Sequence, residues 1–256
     1  MVTLLTDFGD SPYPGQMKGV ILSIMPGAQV VDISHSIPFA QVRSAAYTLL
    51  CSFQDFPPGT VHLCVVDPGV GSERDVLLLH AAGHTFVAPD NGLLWPLWER
   101  FSGSARAFRL CEYKGFCRPL SRTFHGRDVF APVGAWIARG VPLLTLGEPL
   151  PGPRVSLKLP RPQLDGGKVV GEVVFVDPFG NLVTNIEPGR LPGPVGRIRV
   201  KGLVIEQVAD HYAQWEGRGA GAIVNSCGRL ELFIFKGNAQ VELGVGLGER
   251  IEVEMG

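Results

Sequence analysis

A proline-rich stretch divides the chain into two parts with different periodicity. Residues 148–167, EPLPGPRVSLKLPRPQLDGG, hold five prolines and show no helical period, which predicts a break between folding units. Strand-like and helix-like runs alternate before this stretch, and only strand-like runs separated by turn signals follow it. We therefore expect one domain over residues 1–150, a linker over 151–167 and a second domain over 168–256.

The alternation in the first part predicts an α/β domain with a mainly parallel sheet. The predicted strands are Val2–Leu5, Gln29–Ile33, Thr60–Val66, Val76–Ala81 and Thr85–Ala88. The predicted helices are Gly15–Ile24, Gln41–Cys51, Asn91–Phe101 and Asp128–Arg139.

The second part predicts a smaller domain that is a β-barrel or a β-sandwich, because short strands with frequent turns are typical of both. The predicted strands are Lys168–Val176, Val195–Val200, Gly221–Val224, Leu230–Phe235 and Arg250–Val253.

The bulk composition excludes several classes of protein. Hydrophobic residues make up 45% of the 256 residues and charged residues 18%, as in globular proteins. A formal net charge of -1 argues against a dedicated nucleic-acid binder. No apolar run is long enough to span a membrane, and the first residues, MVTLLTDFGD, are typical of a β-strand rather than a signal peptide.

The cysteines indicate a reducing compartment. Their number is odd and no CxxC pair occurs, so we expect free thiols in a cytoplasmic protein. They are Cys51, Cys64, Cys111, Cys117 and Cys227.

Two aspartates follow predicted strands at the edge where α/β proteins bind ligands. Asp7 follows the first strand and Asp67 the third, each with glycine nearby. In CVVDPGVGSERD, Arg74 comes seven residues after Asp67, with two glycines between them. A turn-forming or helix-capping role for either aspartate is the alternative.

The stretch TFHGRDVFAPVGA, residues 123–135, places a histidine before a predicted helix. His125 precedes the helix and Asp128 falls in its first turn, where unpaired N–H groups can meet a polar ligand. A general base, an orienting group and a buried structural histidine all remain open for His125.

The stretch VDPFGNLVTN, residues 176–185, carries groups that suit a purine ring. Phe179 offers a stacking surface, and Asp177 and Asn181 offer polar partners for the ring edge. A hairpin turn built on Gly-Asn is the alternative.

Other chemical motifs do not fit. The chain has no GxSxG elbow and no Walker A lysine, and GVGSER lacks the third glycine of a dinucleotide fingerprint. His80 and His84 are four residues apart, but Gly83 interrupts the segment, so we expect no metal there.

Taken together, the motifs of this chain resemble those of the S-adenosylmethionine hydroxide adenosyltransferase family, whose relatives include adenosyl fluorinases and chlorinases. The resemblance covers essentially the whole chain. It rests on the number and order of the motifs TDFG at 6–9, MKGVI at 17–21, VVDPGVGSER at 65–74, APDNGLL at 88–94, FHGRDVFAP at 124–132, DPFGNLVTN at 177–185 and NS at 225–226.

The resemblance implies an enzyme in which water or hydroxide attacks C5′ of S-adenosylmethionine and releases adenosine and L-methionine. It implies that Asp67, Arg74 and His125 activate the water, and that neither a metal nor a cofactor takes part. It also implies a homotrimer, with each active site between the N-terminal domain of one subunit and the C-terminal domain of its neighbour. Nucleic acid and membrane are not expected partners.

The resemblance also assigns substrate contacts. Asp7 matches an acid that binds the ribose hydroxyls, and Ser226 matches a position at the methionine head group. Ser11 stands where many members have an acid, and Gly126 falls in the region that forms the halide pocket of halogenating relatives. The other substrate positions that it assigns are Phe39, Asp177, Phe179 and Asn181.

Three other functions remain open. A chlorinase would also fit Gly126, although a carboxylate at Asp67 would repel a halide. A protein that binds an adenosyl ligand without turnover would need the pocket but not Asp67, Arg74 and His125. A hydrolase for another nucleoside derivative is suggested by Ser11.

Overall fold

The computed structural model describes residues 1–111 and 120–256, which form two compact units, Met1–Lys158 and Leu159–Gly256. Within the described residues no helix has both the length and the apolar character needed to cross a membrane. The domain bounds expected from the sequence, 1–150, 151–167 and 168–256, remain a prediction.

The first unit is built on a seven-stranded sheet with the order β2-β1-β3-β5-β4-β6-β7. Strands β2, β1, β3 and β5 run parallel to one another, and β4, β6 and β7 add antiparallel pairings at one side. The α/β class is therefore confirmed, and the sheet is mixed. The strands are β1 Val2–Thr6, β2 Val30–Ser34, β3 Val61–Val65, β4 Val76–Ala81, β5 His84–Pro89, β6 Arg106–Leu110 and β7 Gly147–Leu150.

Helices cover both faces of this sheet because its buried strands alternate apolar side chains between them. Leu4 and Leu63 join one apolar cluster with helices α1 and α4, whereas Leu5 and Cys64 join another with α2 and α3. The helices of this unit are α1 Tyr13–Ile24, α2 Val42–Ser52, α3 Trp95–Phe101, α4 Ala131–Ala138 and α5 Leu143–Leu146.

Two predicted helices differ from the observed ones. Helix α3 starts at Trp95 rather than Asn91, because Gly92 has a φ of +94°, which no right-handed helix contains. Residues Gly126–Phe130 form a single π-helical turn that leads into α4, so the predicted helix Asp128–Arg139 is split between two geometries.

The second unit is a nine-stranded, nearly closed, barrel-like sheet. The order along the sheet is β12-β11-β16-β9-β10-β15-β14-β13, and β8 pairs with β9. Its strands are β8 Gln163–Asp165, β9 Lys168–Val176, β10 Leu182–Thr184, β11 Val195–Val200, β12 Leu203–Ile205, β13 Val208–Ala209, β14 Ala220–Val224, β15 Leu230–Ile234 and β16 Arg250–Met255. It also contains one α-helix, α6 Ala239–Leu243.

Part of the stretch expected to be a linker is structured. Gln163–Asp165 forms β8 and pairs with Lys168–Val170 of β9 through a two-glycine turn at residues 166–167. A strand this short, with exposed side chains, carries no periodicity that the sequence could show. Of the thiols, Cys64 and Cys111 are free, and Cys117 lies outside the described residues.

The first unit contains a buried pair of histidines. His62 on β3 is fully buried, contacts Thr3 Oγ1 through Nδ1 at 2.7 Å and contacts His84 Nδ1 through Nε2 at 3.1 Å. Its ring stacks on Phe86 at 4.9 Å between centroids. Burial and then the neighbouring His84 lower the pKa of His62 from 6.5 to about 3. His62 is therefore neutral in the folded protein at neutral pH.

This histidine predicts a loss of stability in mild acid. The unfolded chain binds a proton at His62 near pH 6.5 and the folded chain only near pH 3. Stability is therefore fully present above pH 6.5 and falls as the pH drops toward 3, by up to about 1.4 kcal/mol per pH unit. We expect His62→Leu to flatten the decline of the melting temperature between pH 7 and 4.5.

The control for this measurement is His211→Leu, because His211 is exposed. This variant should keep the wild-type slope of melting temperature against pH. An unchanged slope in His62→Leu would mean that other groups dominate acid unfolding.

Candidate active site

Two carboxylates lie at one edge of the first unit's sheet. Asp7 comes directly after β1, and Asp67 comes after β3 with one residue between them. The two strands are parallel neighbours, and their register pairs Thr6 with Val65. The carboxyl ends of parallel strands meet at the same edge, so both aspartates face the same pocket, which they line.

Asp67 is held by a two-pronged contact from Arg74. Arg74 Nε donates to Asp67 Oδ1 at 2.9 Å and to Oδ2 at 2.8 Å, and Nη2 also donates to Oδ2. The side chains are only 5% and 11% exposed. A guanidinium in this planar geometry fixes the orientation of the carboxylate more firmly than a lysine would.

The loop between these residues folds back through glycine and serine. Val70 N–H donates to the Asp67 carbonyl at 3.3 Å, and Ser72 donates to the Gly69 carbonyl through its N–H and its hydroxyl. Gly71 has a φ of +80°, and a Cβ there would collide with the Arg122 carbonyl oxygen. Only glycine satisfies both conditions.

His125 joins the cluster through Arg74. Arg74 Nη2 lies 3.0 Å from His125 Nδ1, and because arginine can only donate, Nδ1 accepts and the proton of the neutral ring is on Nε2. Burial and then the Arg74 charge lower the pKa of His125 below 6.5. The imidazole is therefore mostly neutral at neutral pH.

Asp128 supports the turn that carries His125. It is 1% exposed, and its carboxylate accepts from Ser121 N–H at 2.9 Å and from Arg127 Nε at 2.7 Å. Burial alone would raise the pKa of Asp128, but the bonds from Arg127 and Ser121 outweigh it and lower the value. Asp128 thus serves the local structure.

An apolar cavity of about 290 Å³ opens above this cluster. Such a volume is close to the lower end of small-molecule pockets, roughly 300 Å³. Three aromatic rings, Phe8, Tyr13 and Phe124, pack edge to face within it at 4.9–5.8 Å. The lining residues are Asp7, Phe8, Tyr13, Phe39, Val65, Asp67, Val70, Thr123, Phe124, His125 and Gly126.

One carboxylate oxygen of Asp7 accepts a hydrogen bond from the backbone. Its Oδ2 accepts from Ala40 N–H at 3.0 Å, and Ala40 has a φ of +60°, which is rare for a residue with a side chain. Among the residues that the structure describes, none donates a hydrogen bond to Asp7 Oδ1. The turn at Ala40 leaves Phe39 84% exposed at the pocket.

Gly126 and Ser11 differ in their relation to the pocket. Gly126 lines it, and a Cβ there would lie 3.0 Å from Phe124, 3.2 Å from Met17 and 3.3 Å from Phe8. Ser11 is not among the lining residues, and its hydroxyl accepts from Tyr13 N–H at 3.4 Å at the start of α1.

Three other candidates form a turn in the second unit, between β9 and β10. The Asp177 carboxylate accepts from Phe179 N–H at 2.9 Å, from Asn181 N–H at 2.8 Å and from Asn181 Nδ2 at 2.9 Å. Phe179 is left 75% exposed, while Asn181 is 8% exposed. The hairpin turn is therefore present, and it presents an aromatic ring to its surroundings.

Ser226 lies in a second turn of this unit. Asn225 Oδ1 accepts from Cys227 N–H at 3.0 Å and from Arg229 N–H at 3.1 Å. Asn225 Nδ2 in turn donates to Glu231, a carboxylate that is 3% exposed. The exposed Ser226 thus sits on a turn anchored to a buried acid.

The sequence prediction named Phe39 of the aromatic lining but missed the other three rings, Phe8, Tyr13 and Phe124. Phe8 and Phe124 directly follow Asp7 and precede His125, so adjacency to a candidate polar residue was the available signal. Tyr13 had no such signal, because its place depends on where α1 begins.

The fold and the cluster define an α/β protein whose sheet edge carries a carboxylate, a guanidinium and a neutral imidazole beneath an aromatic pocket. Models for the SAM hydroxide adenosyltransferase N-terminal and C-terminal domains match residues 2–147 and 171–252. The chain belongs to the SAM hydroxide adenosyltransferase family.

Three relatives illustrate the range of the family. An (R)-S-adenosyl-L-methionine hydrolase from Salinispora tropica is 35% identical, over 100% of this chain and 98% of its own. A crystal structure of an uncharacterized conserved protein from Thermotoga maritima superposes with a TM-score of 0.90 at 37% identity, covering 99% of this chain and 100% of that one. A fluorinase from an Actinoplanes species is 29% identical over 73% of this chain and 71% of its own.

The loop geometry predicts that Gly71 tolerates no side chain. In Gly71→Ala the new Cβ meets the Arg122 carbonyl in a backbone conformation that alanine disfavours, so the loop must move. We expect the melting temperature to fall by several degrees, equivalent to about 2 kcal/mol or more.

Gly217→Ala is the matched control, because Gly217 has a φ of +74° and no atom of the described residues would lie within 4 Å of a Cβ there. It isolates the backbone strain, costing about 1 kcal/mol. Equal losses in the two variants would show that the contact with Arg122 imposes nothing on the loop.

Proposed function

We propose that this protein hydrolyses S-adenosyl-L-methionine to adenosine and L-methionine. The observation that carries the proposal is the contact of Arg74 with both Asp67 and His125 at the floor of an apolar pocket that Asp7 also lines. The hydrolase names of full-length relatives in the same family support it. Asp67, Arg74 and His125 are the proposed catalytic residues.

The chemistry requires a positioned oxygen nucleophile and little else. Water held by Asp67 attacks C5′ of the ribose, the C5′–S bond breaks, and sulfur keeps the electron pair as the neutral thioether of methionine. The proton of the attacking water passes to Asp67 and from there to solvent. Because the sulfonium is already an activated leaving group, no acid or metal is needed to expel it.

Arg74 and His125 hold the carboxylate in place for this step. Arg74 donates to both oxygens of Asp67, which leaves the remaining lone pairs of the carboxylate for the water. The neutral His125 orients the guanidinium by accepting from Nη2. A halide nucleophile is disfavoured because the carboxylate would repel it.

The proposed ribose contact uses the remaining oxygen of Asp7. Ala40 N–H engages Oδ2, so Oδ1 is available to accept from the hydroxyls of the sugar. Phe39 and the edge-packed rings around Phe8 supply apolar area for the nucleoside. Gly126 keeps the floor open, since a side chain there would approach these rings.

Of the remaining candidate contacts, Ser11 belongs to the first unit, and we propose that it lies near the methionine end of the substrate. The others lie in the second unit. We propose that Asp177, Phe179 and Asn181 bind the adenine and methionine ends and that Ser226 binds the methionine head group. The family resemblance implies a homotrimer in which a neighbouring subunit supplies them. The large exposure of Phe179 supports a role in covering ligand or partner, and sedimentation measurements of the 27.6-kDa chain test the trimer.

A cytoplasmic location is part of this proposal. The free thiols of Cys64 and Cys111 support a reducing compartment. Subcellular fractionation tests it, and recovery outside the cytoplasm would contradict it.

The proposed role of Asp67 predicts that Asp67→Asn strongly reduces turnover. The amide keeps the shape of the carboxylate but cannot take a proton from water, so we expect kcat to fall by about 10²–10⁴-fold. Adenosine and methionine are measured chromatographically with S-adenosylmethionine in buffers with and without chloride. Asp55→Asn, at an exposed aspartate, is the matched control and should keep wild-type activity.

Each other product pattern has a definite meaning. Formation of 5′-chloroadenosine in chloride buffer would contradict the hydrolase proposal and show that the protein is a halogenase. Bound S-adenosylmethionine without turnover would make the protein a binder. Preference for analogues lacking the amino-acid tail would assign another nucleoside substrate.

The proposed role of His125 predicts how activity depends on pH. Protonating His125 removes the acceptor for Arg74 and places two cations 3.0 Å apart, so kcat/KM should fall in acid. Since the pKa of His125 is lowered, the midpoint should lie below 6.5. His125→Asn, whose amide oxygen can replace Nδ1 but cannot be protonated, should retain part of the activity and lose this limb.

His211→Asn, at an exposed histidine, is the control and should keep the wild-type profile. An acid midpoint above 6.5, or an unchanged limb in His125→Asn, would remove His125 from this role.

A further inference from the structure

The loop that carries Asp67 and Arg74 crosses over the end of a strand. It connects β3 to β4, but β5 lies between these two strands in the sheet. Strand β5 is parallel to β3 and antiparallel to β4, so its carboxyl end lies directly where the loop begins and ends. The residues that follow β5 are Asp90 and Asn91. We call residues 66–75 the site loop.

These two consecutive residues hold both ends of the site loop. Asn91 Nδ2 donates to the Val66 carbonyl at 2.8 Å, one residue before Asp67. Asp90 N–H donates to the Asp75 carbonyl at 3.0 Å, one residue after Arg74. Asn91 Oδ1 also accepts from Leu93 N–H at 3.2 Å, so its amide is fixed from both sides.

The Asp90 side chain ties a further segment to the same end. Its carboxylate, in a residue that is 5% exposed, accepts from Arg154 N–H at 2.9 Å and from Val155 N–H at 3.3 Å. Arg154 Nη1 then donates to Asp75 Oδ2 at 2.7 Å. A Cβ on Gly92 would lie 3.0 Å from Leu157, so this segment, residues 152–157, packs closely on the turn after β5.

We propose that Asp90 and Asn91 are positioning residues that set the separation of Asp67 and Arg74 by fixing both ends of the site loop. Neither contacts the reacting atoms. The two-pronged contact requires the guanidinium to meet the carboxylate across an eight-residue stretch, and a free loop would sample many other closures. The expected effect of these residues on kcat rests on the proposed function. Their expected effect on the conformation of the site loop does not.

The decisive variant is Asn91→Asp. It keeps the shape of the side chain and its acceptor for Leu93, but it replaces the donor to Val66 with a second acceptor. We expect kcat to fall roughly ten- to hundredfold, as for a small misplacement of catalytic groups. KM should change less than about threefold, and amide hydrogen exchange of residues 66–75 should become faster.

Asn185→Asp is the matched control. Asn185 likewise donates from Nδ2 to a carbonyl, that of Pro160, at 2.8 Å and accepts a backbone N–H, that of Glu172, at 2.9 Å, but in the second unit. It should lose stability to a similar degree while keeping kcat and the exchange of the site loop.

A second variant covers a failure of Asn91→Asp to fold. The Arg154 side chain is 57% exposed, so Arg154→Gln spares the core while releasing Asp75. We expect exchange at residues 73–75 to rise and kcat to fall about threefold, an effect that should vanish in an Asp75→Asn background.

Wild-type exchange of the site loop in both variants would overturn the proposal. So would a loss of activity in Asn91→Asp that appears wholly in KM, or that Asn185→Asp reproduces. An inactive wild-type protein would refute the proposed function alone, because the exchange measurement would still decide whether the site loop is clamped.

Discussion

The contact between Asp67 and Arg74 is the constraint on which the rest of the site depends. Both side chains are almost fully buried, so each would be left as an uncompensated charge without the other, at a cost of about 3–5 kcal/mol. The pair therefore demands a loop that brings residue 74 back to residue 67. Three features support this loop conformation. Gly71 permits the turn, His125 accepts a hydrogen bond from Arg74, and the residues after β5 bind the ends of the loop.

The order of the strands explains why the loop needs such support. A connection between adjacent antiparallel strands could be a tight hairpin, as β4 and β5 form through Ala82 and Gly83. The connection from β3 to β4 must instead pass over β5. The crossing lifts Asp67 and Arg74 to the carboxyl edge of the parallel strands, where Asp7 also emerges, so topology and site arise from the same feature.

Much of this arrangement could be predicted from the sequence, because its signals are local. Strand patterns located Asp7 and Asp67 after β1 and β3, and the family resemblance grouped Asp67 with Arg74 and His125. The clamp on the loop could not be predicted in this way. Asn91 was placed inside a helix, and only the φ of Gly92 shows that the helix starts later and frees Asn91 to reach Val66.

The pKa is lowered at both His62 and His125, but the structural consequence differs between the two. Burial dominates at both, but His62 lies between Thr3 and His84 deep in the unit, so its neutral state is a condition of stability. His125 is neutral partly because Arg74 lies beside it, so its neutral state is a condition of the cluster. Acid therefore acts on the protein at two levels. Protonation of His125 would remove the acceptor for Arg74 in a folded chain, whereas protonation of His62, which is fully buried, would require the surrounding core to open.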